Sequence, residues 1–194
     1  MSHLFVSATI LFYVAAYSQQ RGENYNPISV RAQWEYSVEF YSADVGSQKG
    51  KAITTVEGME EINGKKYFKE VTRYIGINGL PPQVSFSRIA SNGTYTIEKT
   101  ENKEFLSFPF PIAIGSTWTV RNPDGEIEYR AEGTETLELY RQKYNDCLRI
   151  SFHGKIKTGS IDGLQYYARN VGCVRTFVKT GVLRMEILLE KYQK

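Results

Sequence analysis

Few side chains in this 194-residue sequence could act as a catalytic base. The chain has 2 histidines, and after an N-terminal stretch containing His3 only His153 remains, within an apolar, strand-like segment. A serine or cysteine nucleophile usually needs a base beside it, and the sequence contains no Gly-x-Ser-x-Gly turn. We therefore predict that His153 is an ordinary strand residue and that the protein has no catalytic residue.

Acidic side chains are more plentiful, with 21 Asp and Glu in total. A glycosidase needs only two carboxylates that face each other, but no spacing in the sequence selects such a pair. We interpret the acidic residues that occur close together as solvent-facing strand or turn positions. They are Glu60, Glu61, Glu126, Glu128, Glu132 and Glu135.

No metal and no cofactor is predicted. The cysteines and histidines form no Cys-x-x-Cys or His-x-x-x-His pair that could begin a zinc site. Glycines occur singly at turns, and the sequence contains no Gly-rich motif typical of a phosphate-binding loop. The net charge of +3 comes from basic residues interspersed with acidic ones, which does not favour a nucleic-acid surface.

The two cysteines, Cys147 and Cys173, allow two alternatives. An even number of cysteines in an oxidising compartment favours pairing. A single fold-back of the chain between Cys147 and Val178 would bring them together, and the bridge would stabilise the fold by roughly 3 kcal/mol. The other alternative is two buried free thiols.

Large aromatic side chains are more numerous than turns require. They suit the core of a sheet, or the lining of a cavity that takes an acyl chain or another apolar ligand. A filled interior and a hollow one both fit this pattern. The candidate ligand-binding residues are Trp34, Tyr36, Phe40, Phe108, Phe110 and Trp118.

We expect these residues to lie on β-strands. Beyond Ser18 the chain has 38 Val, Ile and Thr against 16 Ala and Leu, a ratio that favours strand over helix. Between residues 33 and 41, large apolar and polar side chains alternate with a period of two. Asn63-Gly64, Asn92-Gly93 and the 122–125 segment supply the turns of sequential hairpins.

We predict an all-β protein with one domain, residues 19–194, and few or no helices. Its architecture is a single curved antiparallel sheet of about ten strands, forming an open barrel or half-barrel. The segment Leu106–Ile114 combines apolar residues with prolines that disfavour central strands. We expect it to be a loop that covers the concave face.

The hairpin at Asn63-Gly64 also allows a prediction of register. Pairing outward from this turn sets Glu61 opposite Lys66. It would further set Glu57 opposite Glu70, and like charges directly opposite each other are unfavourable. We therefore expect a β-bulge that shifts the register beyond the turn.

Residues 1–18 are predicted to form a cleaved signal peptide. An apolar run from Leu4 to Tyr17 ends in small residues that suit cleavage before Gln19. The run is shorter than the roughly 20 residues of a membrane span. We expect an exported protein, periplasmic or at the cell surface, and contact with a membrane only through this segment if it stays uncleaved.

Four strings resemble a group of uncharacterised bacterial exported proteins, mostly periplasmic proteins or lipoproteins. In β architecture that group is similar to the half-barrel lipoprotein carriers of the outer-membrane sorting pathway. The resemblance implies the same half-barrel and no particular reaction. The strings are Gly115–Trp118, Gly133–Thr136, Tyr144–Ile150 and Tyr166–Arg175.

The chain departs from the pattern of that group in three places. It lacks the lipid-attachment cysteine after the apolar run, and residues 141–143 replace a small Ala-Gly turn. Cys173 occupies a position that is usually apolar, which favours a bridge to Cys147.

These observations give three hypotheses about function. The first is a non-enzymatic exported β protein that binds an apolar small molecule or a lipid in a half-barrel cavity. The second is a cell-envelope module with a filled core that binds another envelope protein or has a structural role. The third is a small hydrolase that uses a carboxylate pair or His153.

Overall fold

The computed structural model describes Tyr25 and residues 27–43, 46–78 and 80–194. The predicted signal peptide, residues 1–18, lies outside the described residues. Within them the chain forms strands and turns, and no helix that could span a membrane is present in this part.

In the described residues, twelve strands form one antiparallel sheet. The all-β class and the single curved antiparallel sheet are confirmed, with two strands more than predicted. Their bounds are β1 (Gln33–Ser42), β2 (Gly46–Ile62), β3 (Lys65–Ile75), β4 (Gln83–Ala90), β5 (Gly93–Glu98), β6 (Lys103–Pro109), β7 (Thr117–Asn122), β8 (Gly125–Leu139), β9 (Gln142–Ile156), β10 (Gly159–Ala168), β11 (Gly172–Thr180) and β12 (Leu183–Gln193).

The strand order is β6-β5-β4-β3-β2-β1-β12-β11-β10-β9-β8-β7. Two meanders of six strands, β1–β6 and β7–β12, are therefore joined by the pairing of β1 with β12. The outer strands β6 and β7 lie side by side and nearly close the sheet into a barrel, although no backbone ladder joins these two described strands. Residues 110–116 connect them.

The predicted register of the β2–β3 hairpin is confirmed. Glu61 pairs with Lys66 across the turn, where Asn63 and Gly64 both have positive φ. A bulge between Val56 and Gly58 then removes Glu57 from its place opposite Glu70. Glu57 instead points to the other face, where its carboxylate binds Lys69 and Arg73.

The prediction that Leu106–Ile114 is a loop is wrong for its first part. Leu106 to Pro109 belong to β6, which pairs with β5. Proline is tolerated here because β6 is an edge strand, where no neighbour needs its missing N–H. Only the remaining residues of the segment belong to the connection between the two edges.

The predicted fold-back that would join the two cysteines is also wrong. Cys147 lies on β9 and Cys173 on β11, with β10 paired between them. Strands two apart are separated by about 9–10 Å, beyond the ~7 Å that a disulfide can bridge. Both cysteines are free and buried, and burial raises the pKa of each thiol to about 11.

The core has two parts. The large part lies on the inner face of the curved sheet and includes residues of both meanders. The small part, formed by Tyr67, Phe86 and Ile97, lies on the opposite face of β3–β5. There the β2–β3 turn reaches the β5–β6 turn, and the side chains of Asn63 and Asn102 form a hydrogen bond.

Candidate functional site

The inner face of the sheet carries two unlike sets of side chains. Its orientation follows from β1, where Trp34, Tyr36 and Val38 alternate inward and belong to the main core. Residues that pair directly across antiparallel strands share a face. The inner face therefore continues from Trp34 to Thr54 on β2 and from Thr54 to Thr72 on β3.

One set is the aromatic cluster. Phe108 is its centre, with ring centroids 5.7 Å from Trp118 and 5.4 Å from Tyr167. Trp118 stacks on Tyr129, with centroids 5.4 Å apart and planes inclined by 11°. The cluster consists of Phe108 on β6, Phe110 in the connection, Trp118 on β7, Tyr129 on β8, Phe152 on β9 and Tyr167 on β10.

The aromatic cluster lies at the seam, by which we mean the junction between β6 and β7. Trp118 on β7 donates a hydrogen bond from Nε1 to the carbonyl oxygen of Ser107 on β6, at 3.2 Å. A side chain thus takes the place that a backbone ladder holds between the other neighbouring strands. The seam can separate without the loss of a row of backbone hydrogen bonds.

The aromatic residues of β1 form a second group. Trp34 donates from Nε1 to the carbonyl oxygen of Val171 at 2.6 Å and stacks on Tyr192, with centroids 5.2 Å apart. Tyr36 donates its hydroxyl proton to the carbonyl oxygen of Cys173 at 3.2 Å. Phe40 is partly buried against the same core.

The six candidate ligand-binding residues therefore lie in two places. The structure brings Phe108, Phe110 and Trp118 together at the seam, and it aligns Trp34, Tyr36 and Phe40 along β1. All six contact the main core. Their role in ligand contact stays a prediction.

The other inward-facing set is the polar row on β2–β6. Thr54 and Thr72 share a hydrogen bond of 2.8 Å, and the Thr96 hydroxyl donates to Ser107 at 3.1 Å. Ser107 in turn donates to the backbone oxygen of Thr94 at 3.0 Å. The polar row comprises Thr54, Glu70, Thr72, Ser87, Thr94, Thr96 and Ser107, and all seven are buried.

Glu70 is the ionisable member of the polar row. It is 3% exposed, and Ser87 donates a hydrogen bond to its Oε1 at 2.5 Å. Burial raises the pKa of the Glu70 carboxyl to about 7, although the Ser87 hydrogen bond acts in the opposite direction. A carboxyl so placed changes charge near neutral pH.

Thr94 adds an unusual feature to the polar row. It is 0% exposed, and its Oγ1 has no hydrogen-bond partner among the described residues. It lies two residues from Thr96 on the same face of β5 and is therefore directed inward. Buried hydroxyls in proteins normally have a partner.

Sequence reasoning did not identify the polar row. Glu70 entered it only as an unfavourable neighbour of Glu57. A signal was present, because Glu70 and Thr72, then Thr94 and Thr96, occupy alternate positions of predicted strands. On a sheet with one buried face, the polar residues of such an alternation normally face solvent, whereas in this part of the sheet both faces are covered.

The residues considered for catalysis lie elsewhere. His153 is exposed on the outer face of β9, paired with Glu128 on β8 and Asp162 on β10. Glu126 binds Arg121, and Glu60 binds Lys99. Among the described residues, no three His, Cys, Asp or Glu side chains come together as metal ligands.

The fold is similar to two crystal structures of bacterial proteins. One, with a YmcC-like fold, is a predicted exported protein from Bacteroides fragilis: 14% identity and a TM-score of 0.55, covering 89% of this chain and 100% of the other. A predicted lipoprotein from Parabacteroides distasonis shows 15% identity and a TM-score of 0.53, covering 90% of this chain and 100% of the other. No protein-family model and no curated protein matches the sequence. These similarities establish a shared fold.

Proposed function

We propose that this chain is a non-enzymatic exported protein, periplasmic or at the cell surface, that binds an apolar or lipidic ligand inside the nearly closed sheet. The fold it shares with a predicted exported protein and a predicted lipoprotein supports export. The sequence resembles a group of exported proteins whose β architecture is similar to that of half-barrel lipoprotein carriers, and a carrier-like architecture suits an apolar ligand. The predicted residues of the aromatic cluster would contact the apolar part of that ligand.

The observation that carries this proposal is the combination of the aromatic cluster and the polar row on one inner face. A core that only stabilises the fold gains from apolar side chains, since an inward polar group must be hydrogen-bonded to offset its desolvation. Seven inward polar residues, one of them a carboxylic acid, suit an amphipathic ligand better. Barrel diameter grows with strand number, and about eight strands already suffice to hold a small ligand.

The seam offers the route of entry. It is the one junction of neighbouring strands in the described sheet that lacks a backbone ladder. Two of the predicted ligand-binding residues, Phe108 and Trp118, contact each other across it. A ligand that separates β6 from β7 would meet these aromatic rings first and the polar row behind Ser107 next.

Native mass spectrometry of the protein purified from its own cells tests this proposal. We expect a co-purified lipid or other amphipathic molecule of defined mass. Protein stripped of that molecule and mixed with phosphatidylethanolamine vesicles should recover a bound lipid. The variant Trp118→Ala should recover less, whereas Tyr41→Ala, on the exposed outer face of β1, should match the wild type.

A different result would favour the second hypothesis. If the protein carries no molecule and takes up none from vesicles, its interior is filled. The chain would then be an envelope module that acts through its outer surface.

A further inference from the structure

We propose that Glu70 and the polar row form a subsite for a protonated amine, so that the ligand of this protein is an amphipathic molecule with an ammonium group at its polar end. This inference rests on the proposed function and names the class of ligand for the same interior. The ammonium group would lie against Glu70. The apolar part would extend toward the aromatic cluster.

The first support comes from the hydrogen bonds of Glu70. A carboxylate offers about four acceptor positions, and the described structure shows one hydrogen bond, from Ser87 to Oε1. An ammonium group carries three donors and no acceptor. It therefore matches a site rich in acceptor positions.

The second support is the lack of a counter-charge. The groups that face Glu70 on neighbouring strands are Val56 on β2 and Ser85 and Ser87 on β4. Tyr36 on β1 is a titratable group that interacts with Glu70 electrostatically. The buried polar and charged residues of the described chain include no Lys, Arg or His. Burying a carboxylate without a cation is costly, and a ligand cation would remove that cost.

Glu104 shows how this same chain treats another poorly exposed carboxylate. Arg88 donates to both of its oxygens, from Nε at 2.5 Å and from Nη2 at 2.8 Å. Although burial opposes ionisation, these bonds and those from Tyr67 and Lys65 lower the pKa of Glu104 to about 2. Glu104 is ionised by its protein partners, whereas Glu70 lacks an equivalent of Arg88.

The positions of the polar row and the aromatic cluster determine the direction of the ligand. Ser107 belongs to the polar row, and the next residue, Phe108, is the centre of the aromatic cluster. Polar and apolar contacts therefore meet on β6, at the seam. A polar end directed at β3 leaves the apolar end in contact with β6 and β7.

Three ligands with the same ten-carbon chain test the inference by calorimetry: decylamine, decanol and decanoate. At pH 8 we expect decylamine to bind the wild type at least about tenfold tighter than decanol, because hydrogen bonds to charged groups are the stronger ones. Decanoate should bind more weakly than decanol. Glu70→Gln should reduce the preference for decylamine over decanol to about twofold or less.

Two comparisons keep this test specific. Glu57→Gln removes a carboxylate on the outer face and should leave all three affinities unchanged. Between pH 6 and pH 8 the affinity of the wild type for decylamine should rise about fivefold to tenfold as Glu70 ionises, and that of Glu70→Gln should stay constant. Burial keeps Tyr36 protonated over this range, since its pKa is raised well above its usual value.

The possible failures are distinguishable. Equal binding of decylamine and decanol, or a preference that survives in Glu70→Gln, would overturn the inference and leave the proposed function standing. Binding of none of the three ligands would overturn both. Thermal melts of each variant, expected to be cooperative, separate loss of binding from loss of fold.

Discussion

The two meanders have the same architecture but bury their inner faces in different ways. In β7–β12 most inward residues are apolar, and rings such as Tyr129 and Phe152 pack with centroids 5.6 Å apart. The buried polar residues on these strands are fewer: Gln165, Thr176 and Thr180. In β2–β6 more hydroxyls and a carboxyl face inward, and apart from the Thr94 hydroxyl they are held by hydrogen bonds. Packing is not directional, whereas a buried hydrogen bond fails when one partner is lost.

This difference indicates where in the molecule a ligand site should be sought. The aromatic cluster contributes to stability whether or not a ligand is present. The polar row contributes little by itself, since a net hydrogen bond is worth about 1 kcal/mol. Many polar side chains in a protein interior are therefore a stronger sign of a ligand than buried aromatic side chains are.

The largest effect is expected in the aromatic cluster. Tyr167 is 0% exposed, and its ring packs on Phe108. Tyr167→Ala should lower the free energy of unfolding by about 3–5 kcal/mol, as for other large buried aromatic residues. Urea denaturation measures this loss. Ser87→Ala, in the polar row, should cost about 1–2 kcal/mol, and an equal or larger loss there would contradict the comparison.

Glu70 gives the polar row a dependence on pH. Its carboxyl has a pKa of about 7 in the folded protein and about 4.3 when unfolded, so the native state binds more protons between these values. Protonated Glu70 therefore makes its full contribution to the free energy of unfolding below about pH 4. This contribution decreases as the pH rises to about 7. Wild type should lose on the order of 3 kcal/mol relative to Glu70→Gln across this window.

Thermal or urea unfolding at pH 5 and pH 8 measures this difference. Glu57→Gln is the matched control, because the pKa of Glu57 is lowered by hydrogen bonds to Lys69 and Arg73. Glu57→Gln should lose as much stability between pH 5 and pH 8 as the wild type does. A wild type whose stability does not change relative to Glu70→Gln would show that Glu70 is not desolvated.

Gly163 tests how tightly the aromatic side is packed. A Cβ at this position would lie 2.1 Å from Cζ of Phe152 and 2.3 Å from the carbonyl oxygen of Phe177. Gly163→Ala should therefore destabilise the protein by about 1–3 kcal/mol through overpacking. Gly133→Ala is the control, since a Cβ there meets no atom within 4 Å. Similar melting temperatures for the two variants would show that the inner face has free space at Phe152.

The smallest effect is expected at the seam. Trp118→Phe keeps an aromatic ring but removes the donor to Ser107, which should cost about 1 kcal/mol. Amide hydrogen exchange in β6 should become faster. Trp34→Phe removes a comparable hydrogen bond, to Val171, but should leave exchange in β6 unchanged. If both variants alter β6 equally, the seam is not a separate opening unit.

Much of the fold could be predicted from the sequence because the signals were local. The bulge near Val56 followed from the charges of Glu57 and Glu70 together with the Asn63-Gly64 turn. β6 was missed because Pro109 resembles a loop residue unless its strand is known to be an edge. Edge position depends on the order of strands, which no local pattern contains.

The candidate site was less accessible to prediction. The aromatic residues at the seam were identified by type, since few other places accept Phe108 and Trp118. Glu70 was not, because a glutamate on an alternating strand is normally solvent-facing. Glu70 is buried because β2 and β4 pair with β3 and because the curved sheet places other strands over its inner face. The separation of the two cysteines likewise depended on one additional turn between them.

The pairing of β1 with β12 has a consequence for how the chain folds. Each meander consists of neighbours in sequence and can form from local hairpins. Their union depends on contacts between distant residues, such as the hydrogen bond from Trp34 to Val171, which spans 137 positions. Closing so long a loop is entropically unfavourable until the final contacts form. During synthesis, β1 keeps an unpaired edge until the last strand has emerged, and such edges promote aggregation.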